Sequence, residues 1–245
     1  MTEWPQIRTV GLSGILITFA PAMTEPANRA ALALRATIET QQWPEVTETS
    51  TSLVSTFLAV DLAITPIGAI KERLESLLKS QDWLNAPLPQ GRTLWHVPTV
   101  YGTDLAPQLE EAADVAGVDP DTAIEELSTS RVRVLTIGFA PGQPYMGELS
   151  ETWNIPRQTG LTKSVPSGAL VIAIRQLIIF TNAAPTGWRH IGQTAFRTFR
   201  LKGPKPFALS PGDELVFPAI RRAEYDKIIT NDTTGQGGAE TEALT

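Results

Sequence analysis

The residues able to do acid, base or ligand chemistry are few, and their spacing limits what they could do together. There are two histidines and no cysteine, so disulfides, thiolate nucleophiles and cysteine-bound zinc are excluded, and redox compartment leaves no mark. His96 sits between Trp95 and Val97 in a strand-like stretch with no second metal ligand at useful spacing; a packed or hydrogen-bonded structural role fits it best. His190 lies in Thr186-Gly187-Trp188-Arg189-His190-Ile191-Gly192-Gln193-Thr194, where glycines allow close backbone approach and Trp188 offers a flat apolar wall. A tryptophan between glycines also serves as a core plug. Arg157 follows Ile155-Pro156 and Lys163 precedes Val165-Pro166-Ser167-Gly168. Either base could clamp a carboxylate or phosphate beside its rigid turn, Arg157 through a bidentate fork, and either could equally be a surface charge. Glu110, Glu111 and Asp114 fall on the polar side of an amphipathic pattern and read as a solvated face.

Those groups need elements to hold them. Val132 to Ile137 is an apolar run that predicts a buried strand, and it feeds Gly138-Phe139-Ala140-Pro141-Gly142-Gln143-Pro144-Tyr145-Met146-Gly147. Proline fixes φ and removes a donor while glycine permits sharp turns, so this segment is a shaped loop. Its prolines delete or constrain the amides that a phosphate-cradling loop would use. No lysine-bearing phosphate loop, serine elbow, HExxH or dinucleotide fingerprint occurs elsewhere.

Upstream, Ile7 to Phe19 predicts two strands about a Gly11–Gly14 turn. Thr24-Glu25-Pro26 caps a helix ending before Pro44, Leu53 to Val60 predicts a central strand, and Thr65-Pro66 opens a second helix. This is an α+β layer pair, a sheet covered by two helices. Asn85-Ala86-Pro87-Leu88-Pro89-Gln90-Gly91 is the strongest linker signal, giving domains over residues 1–88 and 89–229. In the second, Trp95 to Tyr101 is a strand broken by Pro98, and helices follow from Leu109 to near Gly117 and from Asp119-Pro120. Short apolar runs at 170–174, 177–180, 189–191, 195–199 and 214–217 suit a barrel or sandwich. Residues 230–245 hold glycines and threonines with little aliphatic content and read as a flexible tail. The net charge of −6 argues against nucleic acid or an anionic membrane as partner. With no long uninterrupted apolar run and no basic leader, a soluble cytoplasmic chain is expected.

Taken in order, Gly138 to Gly147, Ile155-Pro156-Arg157, Val165-Pro166-Ser167-Gly168, Gly187-Trp188 with Ile191-Gly192-Gln193-Thr194, and Pro211-Gly212-Asp213 resemble the family of B-type subunits of bacterial 5-oxoprolinase, also called allophanate hydrolase subunit 1 or the KipI-type kinase inhibitor. The likeness runs from about Val10 to Ile220. It implies a small N-terminal α+β domain followed by a cyclophilin-like β-barrel that pairs with a homologous C-type subunit and with a third subunit. It implies conversion of 5-oxo-L-proline, ATP and water to L-glutamate, ADP and phosphate, with ATP and Mg²⁺ as cofactors of the complex. By the same resemblance Phe139, Pro141, Gly142, Tyr145, Arg157, Gln176, Trp188 and His190 are the substrate-binding candidates, with Pro156, Pro166, Gly168 and Gly192 as motif positions. Arg157 would hold a carboxylate or phosphate, Gln176 an amide, and Trp188 the apolar wall. The chain departs from the family pattern at Gln143, Thr186, Leu127 and the apolar Leu177–Phe180 segment, positions that surround the pocket. The family therefore also allows a non-catalytic inhibitor that binds a sensor histidine kinase, or an allophanate hydrolase-related subunit with another substrate.

Overall fold

A computed structural model describes residues 4–201 and 205–244; residues 1–3, 202–204 and 245 lie outside the described residues, including that much of the two domains and tail expected from sequence. The chain divides into two units, Met1–Gln90 and Gly91–Thr245.

In the first unit, β1 (Gln6–Val10) and β2 (Gly14–Thr18) form an antiparallel hairpin, followed by α1 (Glu25–Gln41), β3 (Val46–Ser52), β4 (Ser55–Val60) and α2 (Ile67–Leu78). The sheet order is β1-β2-β4-β3, antiparallel throughout. Thr24 caps α1 by accepting the Ala27 amide, with Pro26 in the first turn, as its Thr-Glu-Pro signature predicts. Ile15, Ile17, Leu58 and Val60 pack with Ala27, Ala30, Ala31, Leu34 and Ile38 of α1 and Ile70 and Leu74 of α2 in one buried cluster. Leu53 and Val54, read as strand, instead form the turn between β3 and β4, with Leu53 at φ 52°. The apolar run continues through that corner because Val54 is buried there.

The second unit contains β5 (Arg92–His96), β6 (Thr99–Tyr101), α3 (Leu109–Ala116), α4 (Pro120–Thr129), β7 (Val132–Ile137), β8 (Pro144–Gly147), β9 (Thr162–Val165), β10 (Ala169–Ala173), β11 (Gln176–Ile179), β12 (Ala184–Thr186), β13 (Arg189–Thr194), β14 (Glu214–Val216), α5 (Arg222–Asn231) and β15 (Glu240–Leu244). Hydrogen-bonded neighbours run β7-β8-β11-β10-β13-β6. Strand β14 pairs with both β7 and β5, the strand that precedes β6 across Pro98. A separate pair, β12-β9, lies apart from this sheet. The main core joins Val132, Val134, Met146, Leu170, Ile172, Leu177, Ile179 and Ile191 with Ala112, Ala113, Ala123 and Leu127 of the two helices. The fold is thus mixed α/β with a large antiparallel sheet. Among the described residues no helix is long and apolar enough to cross a membrane.

Two expectations are corrected. Residues 230–244 are not a flexible tail: α5 extends to Asn231, the Asp232 carboxylate accepts the amides of Thr234, Gly235 and Gly237 at 2.9, 3.0 and 2.7 Å, and β15 pairs antiparallel with β5. A polar, glycine-rich composition is what a side-chain-capped turn and an exposed edge strand require, so it does not distinguish them from disorder. Residues 195–199 are not a strand either. The Phe196 amide goes to Thr194 Oγ1 and the Arg197 amide to the Gly235 carbonyl, so this backbone is occupied by local and C-terminal partners instead of a ladder.

Candidate functional site

Strand β10 is buried at every position, and its period of two sorts the surroundings. Leu170 and Ile172 enter the main core, whereas Ala169, Val171 and Ala173 join a second apolar cluster with Val165, Ile178, Phe180 and Trp188, against which Tyr145 packs. Register then places Tyr145, Ile178, Val171 and His190 in one row across β8, β11, β10 and β13. The next row is Gly147, Gln176 and Ala173. Directly paired residues share a sheet face, so Tyr145, Gln176 and His190 lie on the face where Trp188 packs.

Trp188 meets Tyr145 edge-on, with ring centroids 6.3 Å apart at 82°. The Arg157 guanidinium lies 5.4 Å from the centroid of the Trp188 ring and is exposed. Two glutamines without any motif signature fix this segment. Gln108 Oε1 accepts the His190 amide at 3.0 Å, Gln108 Nε2 donates to Gln158 Oε1 at 2.8 Å, and Gln158 Nε2 donates to the Trp188 carbonyl at 2.8 Å. Arg189, buried, donates Nη1 to the Pro156 carbonyl at 2.7 Å and Nε to Glu111 Oε1 at 2.9 Å. Glu111 is therefore more than a solvated face: it neutralises the cation that holds the backbone next to Arg157. Only the position of Gln158 immediately after Arg157 could have marked any of these supports.

The remaining sequence candidates lie elsewhere. Phe139, at φ 70°, is 77% exposed and Pro141 is exposed, so neither joins the Trp188 cluster. Gly142, at φ 74°, is buried against Thr198 and Phe199, where a Cβ would come within 2.9 Å of the Thr198 carbonyl oxygen. Gln143 is buried with Oε1 unpartnered. His96 bonds Glu242 of β15 at 3.0 Å, the hydrogen-bonded role expected for it, and Lys163 is exposed. Among the described residues no group of three or more His, Cys, Asp or Glu side chains is placed to hold a metal ion.

His190 is 4% exposed, and its Nε2 has no partner. Burial pushes its pKa below the ordinary histidine value, against opposing hydrogen bonds from Gly192 and Gln193. It is thus a neutral imidazole whose Nε2 is both unpartnered and sealed from solvent, so this candidate is not presented to a ligand at the surface of the Trp188 face. Because the folded pKa is depressed, the unfolded chain binds a proton that the folded chain refuses as pH falls below about 6.5. Stability should fall in that window, and above it the term vanishes. His190→Asn should flatten this slope in denaturant melts taken across the window; equal slopes for both proteins would refute it.

A family model described as carboxyltransferase domain, subdomain C and D, matches residues 5–209. The chain belongs to this family. The matched span holds every residue of the Trp188 face and stops short of α5 and β15. Among curated relatives, the B subunit of 5-oxoprolinase from Bacillus subtilis (strain 168) is 28% identical over 237 residues, covering 92% of this chain and 97% of that protein. Among solved structures, a crystal structure of TTHA0988 superposes with TM-score 0.72 at 25% identity over 86% of this chain and 40% of the other. The Kluyveromyces lactis urea carboxylase shares the fold, with TM-score 0.69 at 17% identity, over 98% of this chain and 24% of that one. The chain thus spans well under half of either of these two longer proteins.

Proposed function

We propose that this chain is the B-type subunit of a multi-subunit, ATP-dependent enzyme that opens the lactam of 5-oxo-L-proline to L-glutamate. The observation that carries this reading is the match to the 5-oxoprolinase B subunit along nearly the whole of both chains. The geometry supports it. A five-membered lactam acid is a small flat ring with one carboxylate, and the Trp188 face offers an aromatic wall with Tyr145 at its edge and the Arg157 fork above. Arg157 takes the carboxylate and the Gln176 amide bonds the lactam group, with the His190 ring buried in the same sheet face. Arg189 and Gln158 act through their backbone contacts to keep Pro156 and Trp188 in place.

We read the second unit as a cyclophilin-like barrel, because the pairing path from β7 to β6 comes back to β7 through the bridge of Thr99 to Ala219, just after β14, and then β14 itself. Such a unit would dock beside a homologous C-type subunit. Opening a lactam is uphill near neutral pH, and coupling to phosphoryl transfer supplies the drive. The 138–147 loop does not fit a nucleotide phosphate. The Gly138 amide bonds the Gln143 carbonyl and the Gln143 amide bonds the Ala140 carbonyl, both at 3.1 Å, and Pro141 has no amide hydrogen. We therefore assign ATP and its Mg²⁺ to other members of the complex.

Co-expression with a homologous C-type subunit and the third component, followed by pull-down and assay, tests the reading. The expected result is a stable complex with ATP hydrolysis that depends on 5-oxo-L-proline. Neither complex nor turnover, under conditions in which the Bacillus subtilis relative gives both, would sink it.

A further inference from the structure

The C-terminal segment that lies beyond the family match builds one wall of a second cleft. This cleft has a volume of about 280 Å³ and lies between Ser167, Thr194 and Arg197 on one side and Tyr225, Ile229 and Asp232 on the other. The first wall comes from the matched span, residues 5–209, and the second from α5 and the turn after it. None of these residues belongs to the Trp188 cluster.

The walls are locked together by backbone contacts. The Arg197 amide bonds the Gly235 carbonyl at 2.9 Å, and Gly237, at φ 60°, presses on the chain at Phe196, where a Cβ would stand 2.3 Å from the Phe196 nitrogen. Gln193, 4% exposed, donates to the Ser167 carbonyl at 3.0 Å and the Thr194 carbonyl at 3.2 Å, fixing the floor. The charges do not cancel. Asp232 is committed to the amides of the turn, and its field falls on Arg200. Arg197 donates Nη1 to Ser167 Oγ and has no carboxylate partner among the described residues. Arg222 and Asp226 pair with each other at 3.0 Å, so Arg197 and Arg200 against Asp232 leave a surplus positive charge at Arg197. Opposite it is Tyr225, 7% exposed, whose phenol burial keeps protonated and therefore a donor, against an opposing hydrogen bond from the Gln193 side chain beside it.

We propose that this cleft binds a small carboxylate, held by the remaining Arg197 N–H groups and the Tyr225 hydroxyl. A guanidinium and a hydroxyl supply donors for both carboxylate oxygens. The volume lies just below the range of ordinary ligand pockets, which suits an acid of amino-acid size and excludes a nucleotide. The C-terminal segment thereby contributes directly to ligand selection, through a residue outside the family's matched span.

The test is isothermal titration calorimetry of the full chain with sodium L-glutamate and with 5-oxo-L-proline. At least one should bind, and both Arg197→Ala and Tyr225→Phe should weaken that binding about tenfold or more, the loss of a charge-assisted or buried hydrogen bond. The titrations are made in the Arg157→Ala background as well, where the carboxylate clamp of the Trp188 face is gone, so that the binding that remains is read at this cleft. Tyr225→Phe keeps the packed ring, so it decides the matter if Arg197→Ala does not fold. The proposal is overturned if neither acid binds in the Arg157→Ala background, if the Arg197 and Tyr225 variants keep that binding, or if inorganic phosphate binds where neither acid does.

Discussion

Under the proposed function, Arg157→Ala is expected to lower kcat/KM of the complex for 5-oxo-L-proline by about a hundredfold or more, with the melting temperature almost unchanged. The two halves of that expectation come from different contacts. In the folded chain Arg157 is exposed and touches the Trp188 ring at 5.4 Å, a cation–π contact worth only about 0.5–1 kcal/mol at such a site. With the proposed carboxylate in place it would make two charge-assisted hydrogen bonds at about 1.5–3 kcal/mol each, and every 1.4 kcal/mol or so is a factor of ten. Arg157→Lys should recover only part of the loss, because an ammonium keeps the charge without the fork. Kinetics of the alanine variant equal to the parent's would remove Arg157 from the site.

The second large effect is on stability. Gly168→Ala should destabilise the second unit by about 3 kcal/mol or more, on the order of a 10 °C fall in melting temperature. Gly168 sits at φ 82°, and an ideal Cβ there would be 2.1 Å from the Thr194 carbonyl oxygen and 2.9 Å from Gln193 Nε2. Neither obstacle can move freely. The Gly168 carbonyl accepts the Thr194 amide at 2.9 Å, and its own amide bonds the Phe180 carbonyl at 2.7 Å. A methyl group must therefore pry β13 from the Ser167-Gly168 turn in addition to adopting a left-handed conformation. Gly138→Ala provides the contrast, since a Cβ there meets nothing within 4 Å. Thermal unfolding of both variants checks this, and a Gly168→Ala melt as high as that of Gly138→Ala would refute the close approach.

What can be read from the chain is what depends on near neighbours. The Thr24-Glu25-Pro26 and Asp119-Pro120 starts are true helix caps, with Asp119 accepting the Thr122 amide at 2.9 Å, because capping is settled within one turn. The motif residues Tyr145, Gln176, Trp188 and His190 do converge on one sheet face, but no local pattern says so. Their meeting depends on a register shift between Leu170 and Val171 that sets Val171 opposite His190. Phe139 and Pro141, from the most recognisable loop, stand in solvent away from that face. The 195–199 run and residues 230–244 mislead for one shared reason, namely that they satisfy each other: Gly235 and Gly237 lie against Arg197 and Phe196. Two weak local signals become structure only through a contact that spans some forty residues.

Strand β10 carries a constraint for anyone who wishes to redesign this protein. Its five residues are both the floor of the Trp188 face and, on alternate positions, the packing of the main core. Reshaping the floor at Val171 would shift Leu170 and Ile172 by the same backbone movement and disturb the core behind it. New specificity is therefore accessible from the rim, at Arg157, Gln158 and the approach to Trp188, while the floor is a fixed template. A library directed at the rim should retain folded members that one directed at β10 would lose.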